Sequence, residues 1–466
     1  MSDGAPTGLG VRAAFAVAAT GIEKLVALGI ALYLPRHLDL ADYGRYAFVL
    51  ACANFFQVLP DASLEAVLVA RLAAADRDVP RLAGQGAAVR LVVALVGAAL
   101  ALGFLALALR GRGMLAPAAV YACALVFLAA SPYKALLRGQ LRMQRYLGLL
   151  AGQAAVAVTL VVAAIVSGGG LVAVLGGIAV GALAAVLLGR VLAGPGARPR
   201  FDPALGRALV VAAWPLAAGT LLLAGAQQVL YVLLLRTHGE DAMGLLGGAT
   251  KVVEAVGLLP SALMVTMLPA LSRAERDTSG LATARAADAA RLLAVALVPP
   301  CALLACWPEA ALTTILGPRL APAAPVLRIV VALVPLGATG AVLSNLLIAA
   351  GKQRELHVGP ATGAAAMVAL GAALVPRAGA GGAATATVVA MLTGQCMLLV
   401  LPSTRVRATA VLGAALPPVA VGALAAALGS WAAAPASGVL VLVAVYAAGL
   451  VATGMLSRAQ LARWWQ

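Results

Sequence analysis

The residues of this chain best able to do chemistry are a few charged and amide side chains set inside long apolar runs. Glu23 and Lys24 stand at the middle of the first run, and Asn54, Gln57, Asp61 and Glu65 follow at spacings of three or four that share one helical face. Lys251, Glu254 and Ser261 repeat the theme later, with Gln227 and Gln228 in the run before them. An ionisable group inside a membrane span costs about 2.5 to 3.5 kcal/mol on the insertion scale, so it faces a partner or a hydrated cavity. Two compatible readings follow. In one, Lys251 pairs with Glu254, and Lys24 with Asp61 or Glu23, to hold a bundle together. In the other, Lys24 and Lys251 neutralise an anionic substrate in a cavity between two halves, while Glu23, Asp61 or Glu254 takes up a coupling ion. Arg36, Arg45, Arg71 and Arg236, at run ends, read as interfacial anchors that can add to the same positive charge. Glu65 reads either as part of the polar face or as reaching the cytoplasmic headgroups.

Metal and nucleophile chemistry finds no support. His37, His238 and His357 are far apart, and Cys52, Cys123, Cys301, Cys306 and Cys396 form no CxxC pair, so the cysteines read as small buried hydrophobes. Neither a metal nor a cofactor is expected. Gly351-Lys352 and the stretch from Ala378 to Gly382 lack the spacing of a phosphate loop and read as turns.

The elements that must position these residues are apolar throughout. Of 466 residues, 63% are hydrophobic and 11% charged, and the mean hydropathy is +1.02. That composition excludes a water-soluble enzyme and a disordered chain, because too little polar surface exists to cover the apolar mass. Fourteen runs of about 20 residues mark an all-α polytopic membrane protein. They include 11–34, 43–70, 114–136, 208–235, 244–270, 292–316, 357–375, 383–401 and 438–456. No run shows the alternation of a membrane barrel. Connections stay within about 20 residues, leaving no room for a soluble catalytic domain. The longest, near 190–207 and 271–291, read as basic surface segments on the cytoplasmic leaflet.

The net charge of +16 does not point to nucleic acid, since the basic residues punctuate the runs instead of forming a stripe. Twenty-three of the 33 lie on one set of connections and eight on the other, with Lys24 and Lys251 inside spans. The bias places both termini and the richer loops in the cytoplasm. Residues 1–10 lack a cleavable-signal pattern, so the first helix is expected to target the protein to the inner membrane itself.

An offset of 200 residues aligns Arg36 with Arg236, Gly44 with Gly244, Leu59-Pro60 with Leu259-Pro260 and Ala70 with Ala270. It superposes spans 1 and 2 on spans 7 and 8 in the same orientation, a parallel repeat of the kind that in transporters flanks a midplane site. The expected organisation is an N-lobe at 1–192, a cytoplasmic linker at 193–207, a C-lobe at 208–401 and an appended helix pair with tail at 402–466.

Several junctions then resemble a known family. Tyr33-Leu34-Pro35-Arg36-His37-Leu38, with Asp42-Tyr43-Gly44, resembles the link between the first two helices of the Wzx-type polysaccharide flippases of the multidrug/oligosaccharidyl-lipid/polysaccharide (MOP) exporter superfamily. Gly257-Leu258-Leu259-Pro260-Ser261-Ala262, Ile348-Ala349-Ala350-Gly351-Lys352-Gln353-Arg354 and Pro376-Arg377 with Gly381-Gly382-Ala383-Ala384 are similar to later parts of the same family. The resemblance covers about residues 10 to 400. It implies two six-helix lobes, a cavity lined by helices 1, 2, 7 and 8, alternating access, and a polyprenyl-pyrophosphate-linked glycan moved to the outer leaflet by a monomer. Polysaccharide polymerase and glycosyltransferases are the implied partners, with the bilayer itself. Pro35 before the conserved-type arginine, and Gln227-Gln228 in place of an aspartate on helix 7, depart from the family pattern and leave coupling ion and substrate open. Within the superfamily, a small-molecule exporter or peptidoglycan-precursor flippase is the alternative; outside it, a membrane glycan polymerase or ligase.

Overall fold

A computed structural model of the chain describes residues 9–58, 63–74, 79–108, 113–131, 133–193, 202–258, 267, 271–275, 280–430 and 435–453. Asp61, Pro60 and Ser261 lie outside the described residues, as does the side chain of Gln57. Every regular element among the described residues is helical, the arrangement that lets each backbone group bond within its own segment in lipid.

The first part of the chain runs through α1 (Leu9–Tyr33), α2 (Leu40–Gln57), α3 (Leu64–Ala74), α4 (Val79–Ala108), α5 (Leu115–Ala130), α6 (Tyr133–Gly139), α7 (Met143–Val166) and α8 (Leu171–Ala193). A 3-10 turn, Leu34–Arg36, with Pro35 at its start, separates α1 from α2. Asp39 then caps α2, its carboxylate accepting from the Asp42 N–H at 2.6 Å, which satisfies one of the orphan donors of a helix start. Tyr43, 1% exposed, donates to the Ala31 carbonyl at 3.4 Å and ties the two helices together. The sequence expects single spans at 43–70 and 114–136. The structure gives two helices in each place, α2 with α3 and α5 with α6. Ser131 leaves the helical path there (φ −80, ψ 115), as expected of a residue before proline.

Next comes α9 (Pro203–Gly257), 55 residues interrupted at Gly239, where φ is 80 and ψ is −172. The break falls in the expected connection between spans 7 and 8, at a conformation open to glycine. The helix begins inside the expected linker. The remaining helices are α10 (Leu281–Cys306), α11 (Pro308–Leu316), α12 (Ala324–Val330), α13 (Leu333–Ala349), α14 (Gln353–Leu356), α15 (Val358–Val400), α16 (Pro402–Ser430) and α17 (Pro435–Ala452). The segment 281–291, expected as part of a separate surface segment, is helical and is the start of α10, and α10 stops at Cys306, ten residues before the expected end of that span.

At about 1.5 Å per residue, the 43 residues of α15 would extend about 64 Å, twice the hydrocarbon thickness. The helix folds back at Gly379 (φ 53, ψ −128) instead. Its two arms meet through small residues: a Cβ built on Gly363 would sit 2.9 Å from the Ala390 carbonyl oxygen, and one on Gly394 2.7 Å from that of Gly359. Small residues at such crossings let backbones approach. Among the described residues nine helical segments are long and apolar enough to span a membrane, and two of these, Ala217–Gly257 and Val358–Val400, are the ones broken at Gly239 and Gly379.

The chain divides into two compact units, Met1–Gln228 and Val229–Gln466, with the division inside α9. In the first, Leu68, Leu72, Ala83, Ala135 and Leu136 join α3, α4 and α6, and Tyr133, Tyr146, Leu149 and Ala185 join α6, α7 and α8. In the second, Val298 and Ala302 of α10 pack with Ala425 of α16 and Leu442, Tyr446 and Leu450 of α17. The pair expected as an appendage thus shares a core with α10.

Candidate functional site

Each unit holds its own set of charged residues within its helices. In the first unit, Glu23 projects from the middle of α1 and pairs with Lys134 of α6, Oε1 to Nζ 2.9 Å, with side chains 46% and 11% exposed. The expected partner of Glu23 was Lys24 or none. The structure supplies instead Lys134, 111 positions away in sequence. Lys24 is exposed, and no acidic side chain among the described residues pairs with it.

Glu65 does not reach for headgroups. It lies between two arginines: Arg90 of α4 at 2.9 Å, 2% exposed, and Arg138 of α6 at 3.0 Å, 43% exposed. The Arg138 guanidinium also lies 6.0 Å from the centre of the Tyr146 ring. Arg90 is the largest fully buried side chain among the described residues. It stands mid-way along α4, whereas Lys134 is in the first turn of α6. Removing either partner of such a pair leaves a buried charge, so the clamp fixes the positions of α3, α4 and α6.

The amides divide in role. Gln228, 9% exposed, donates from Nε2 to the Ala51 carbonyl at 2.7 Å and fastens α9 to α2. Gln227 is half-buried beside it, and Asn54 is exposed on α2. Arg36 is exposed in the 3-10 turn, and Arg71 donates to the Ala208 carbonyl at 3.4 Å. Arg45 pairs with Asp42 at 2.8 Å on the surface of α2.

In the second unit Lys251 and Glu254 form the expected i,i+3 pair, Nζ to Oε2 2.6 Å, with Lys251 23% and Glu254 58% exposed. Arg236 is exposed next to the break at Gly239. Arg407 of α16 pairs with Glu275, and Lys352 donates to the Ser403 carbonyl in the first turn of α16.

No group of three metal-ligating side chains occurs among the described residues. Cys52 and Cys301 are buried, as expected, whereas Cys123 and Cys396 are exposed, which corrects the reading of all five as interior.

Helices of spanning length, paired charges within them and two compact units define a multi-pass membrane protein, and its fold is that of the MOP superfamily. The structure is similar to that of the lipid II flippase MurJ in an inward-closed conformation, with a TM-score of 0.73 at 10% identity over 96% of this chain and 99% of that one. It is similar also to an inward-facing multidrug resistance MATE family transporter of the MOP superfamily, at 0.64 and 15% over 85% and 99%. A MOP superfamily transporter from Pyrococcus furiosus gives 0.58 and 14% over 86% and 96%. Residues 12–275 match the polysaccharide biosynthesis protein family, more than half of the 466 residues, and the chain belongs to that family. No curated protein matches the sequence.

Proposed function

We propose that the protein flips a lipid-linked oligosaccharide or polysaccharide precursor, carried on a polyprenyl pyrophosphate, from the cytoplasmic to the outer leaflet of the cell membrane by alternating access. The observation that carries the reading is the pair of intramembrane ion pairs, Glu23 with Lys134 and Lys251 with Glu254, beside a further cation at Lys24. A purely structural bundle gains little from charges in lipid. A carrier of an anionic headgroup needs cations that can exchange a resident carboxylate for the substrate's phosphates. Membership of the polysaccharide biosynthesis family supports a glycan as the cargo.

Lys24 in the first unit and Lys251 in the second are the cations assigned to the pyrophosphate, with Arg36, Arg236, Asn54, Gln57 and Gln227 as polar neighbours of its path. Gln228 is assigned to holding α9 on α2. Glu23, Asp61 and Glu254 are the candidates for proton uptake. The bias of basic residues supports cytoplasmic termini.

The test is translocation of a radiolabelled polyprenyl-pyrophosphate oligosaccharide in proteoliposomes. Lys24→Ala and Lys251→Ala are expected to abolish transport while the protein still inserts. Normal transport by both variants removes the assignment of the lysines. Extension of the glycan by purified protein, without translocation, replaces the transport reading by a polymerase or ligase.

A further inference from the structure

The end of the second unit that the charge bias assigns to the outer side is more structured than a short connection requires. After α10 stops at Cys306, the nine residues of α11 turn at Gly317 (φ 102) into a 3-10 segment, Pro318–Ala323, and then α12. Beneath them Leu312, Leu316, Leu320 and Leu327 are all 1% exposed or less, so the segment rests on a filled core. Above them lies an open depression of about 510 Å³, walled by Pro308, Pro322 and Pro325 and carrying Glu309 and Arg328. The volume falls within the range of small-molecule sites, and proline walls hold their shape because φ is fixed.

Glu309 and Arg328 are both exposed on this depression, and no ion pair joins them. One offers only acceptors and the other only donors. Opposite charges on a common depression that leave each other unpaired suit a ligand that carries donors and acceptors side by side on a frame with apolar faces. A sugar ring has that character: its vicinal hydroxyls give to a carboxylate, its oxygens receive from a guanidinium, and its C–H faces lie on proline rings. We propose that this depression is a subsite for the sugar portion of a glycan, in which Glu309 and Arg328 hold the ring and the prolines support its apolar face. The assignment rests on the transport reading, to which it adds a place where the glycan is held on the outer side.

The experiment uses the full-length protein in phosphatidylglycerol nanodiscs, with maltotetraose and a hexuronate-containing tetrasaccharide as probes in saturation-transfer difference NMR. Transfer to sugar protons is expected from the unaltered protein. Each of Glu309→Ala and Arg328→Ala should weaken it about tenfold, the loss of one charge-assisted hydrogen bond, and Glu309→Gln provides an isosteric check against misfolding. Transfer to neither sugar, or equal transfer with the Glu309 and Arg328 variants, overturns the proposal. So does binding of phosphoethanolamine in the same assay without sugar signals, which would make the depression a lipid-headgroup site. Lys24→Ala with Lys251→Ala is expected to keep the sugar signals and lose transport, so failure of the subsite and failure of the transport reading are seen separately.

Discussion

The Tyr446 hydroxyl of α17 donates to the Val295 carbonyl of α10 at 3.1 Å. That carbonyl would ordinarily receive the N–H four residues on, but position 299 is proline, which has no N–H to give. The tyrosine of one helix thus completes the hydrogen bonding of another and adds a polar tie to the apolar core that the terminal pair shares with α10.

Tyr446→Phe leaves the Val295 carbonyl without its donor and is expected to destabilise the second unit by about 1 to 3 kcal/mol. Thermal unfolding in detergent measures it. Adding Pro299→Ala restores a helical N–H and should return most of the loss; a double variant no better than Tyr446→Phe alone would show that the hydroxyl serves another purpose.

Glu65 predicts an uneven response among its partners. Glu65→Leu removes the carboxylate from Arg90, 2% exposed, at an expected cost of about 3 to 5 kcal/mol. Arg138→Ala, at a side chain 43% exposed, should cost about 1 kcal/mol or less. Equal melting shifts for the two variants would mean that burial does not set the strength of the clamp.

The pair between Glu23 and Lys134 is open to charge exchange. Glu23→Lys and Lys134→Glu alone each place like charges together and should impair both insertion yield and transport. The double exchange should recover the yield, since the 2.9 Å contact can re-form with the signs reversed. If transport returns with the yield, the pair serves architecture alone; if yield returns without transport, the sign of charge on α1 matters to the cargo.

Two glycines give opposite expectations. Gly394→Val drives a Cβ to 2.7 Å from the Gly359 oxygen and should prevent the arms of α15 from closing, read as loss of monodisperse protein. Gly413→Ala, in α16 with nothing within 4 Å of its Cβ, should raise stability by about 0.5 to 1 kcal/mol through helix propensity.

Much of this architecture is legible in the sequence, because apolar length in a bilayer admits few alternatives. The breaks at Gly239 and Gly379 separate runs that the hydropathy already divides. Lys251 and Glu254 are recognisable as partners because three residues on a helix bring them together. The pairings of Arg90 and Lys134 are not legible in the sequence. Their partners, Glu65 and Glu23, are 25 and 111 residues away in sequence, and only tertiary packing joins them. Likewise Pro299 announces an orphan carbonyl, but nothing in the sequence announces Tyr446 as its donor.

One exposed thiol belongs to each unit, Cys123 to the first and Cys396 to the second, while Cys52 and Cys301 are buried. The protein thereby carries a native pair of labelling positions. Nitroxides placed on the two would form a molecular ruler readable by pulsed electron resonance, with Cys123→Ser and Cys396→Ser as single-label controls. An alternating transporter must register its cycle on that ruler as two distance populations, exchanged by adding substrate, without a single residue having been introduced to see it.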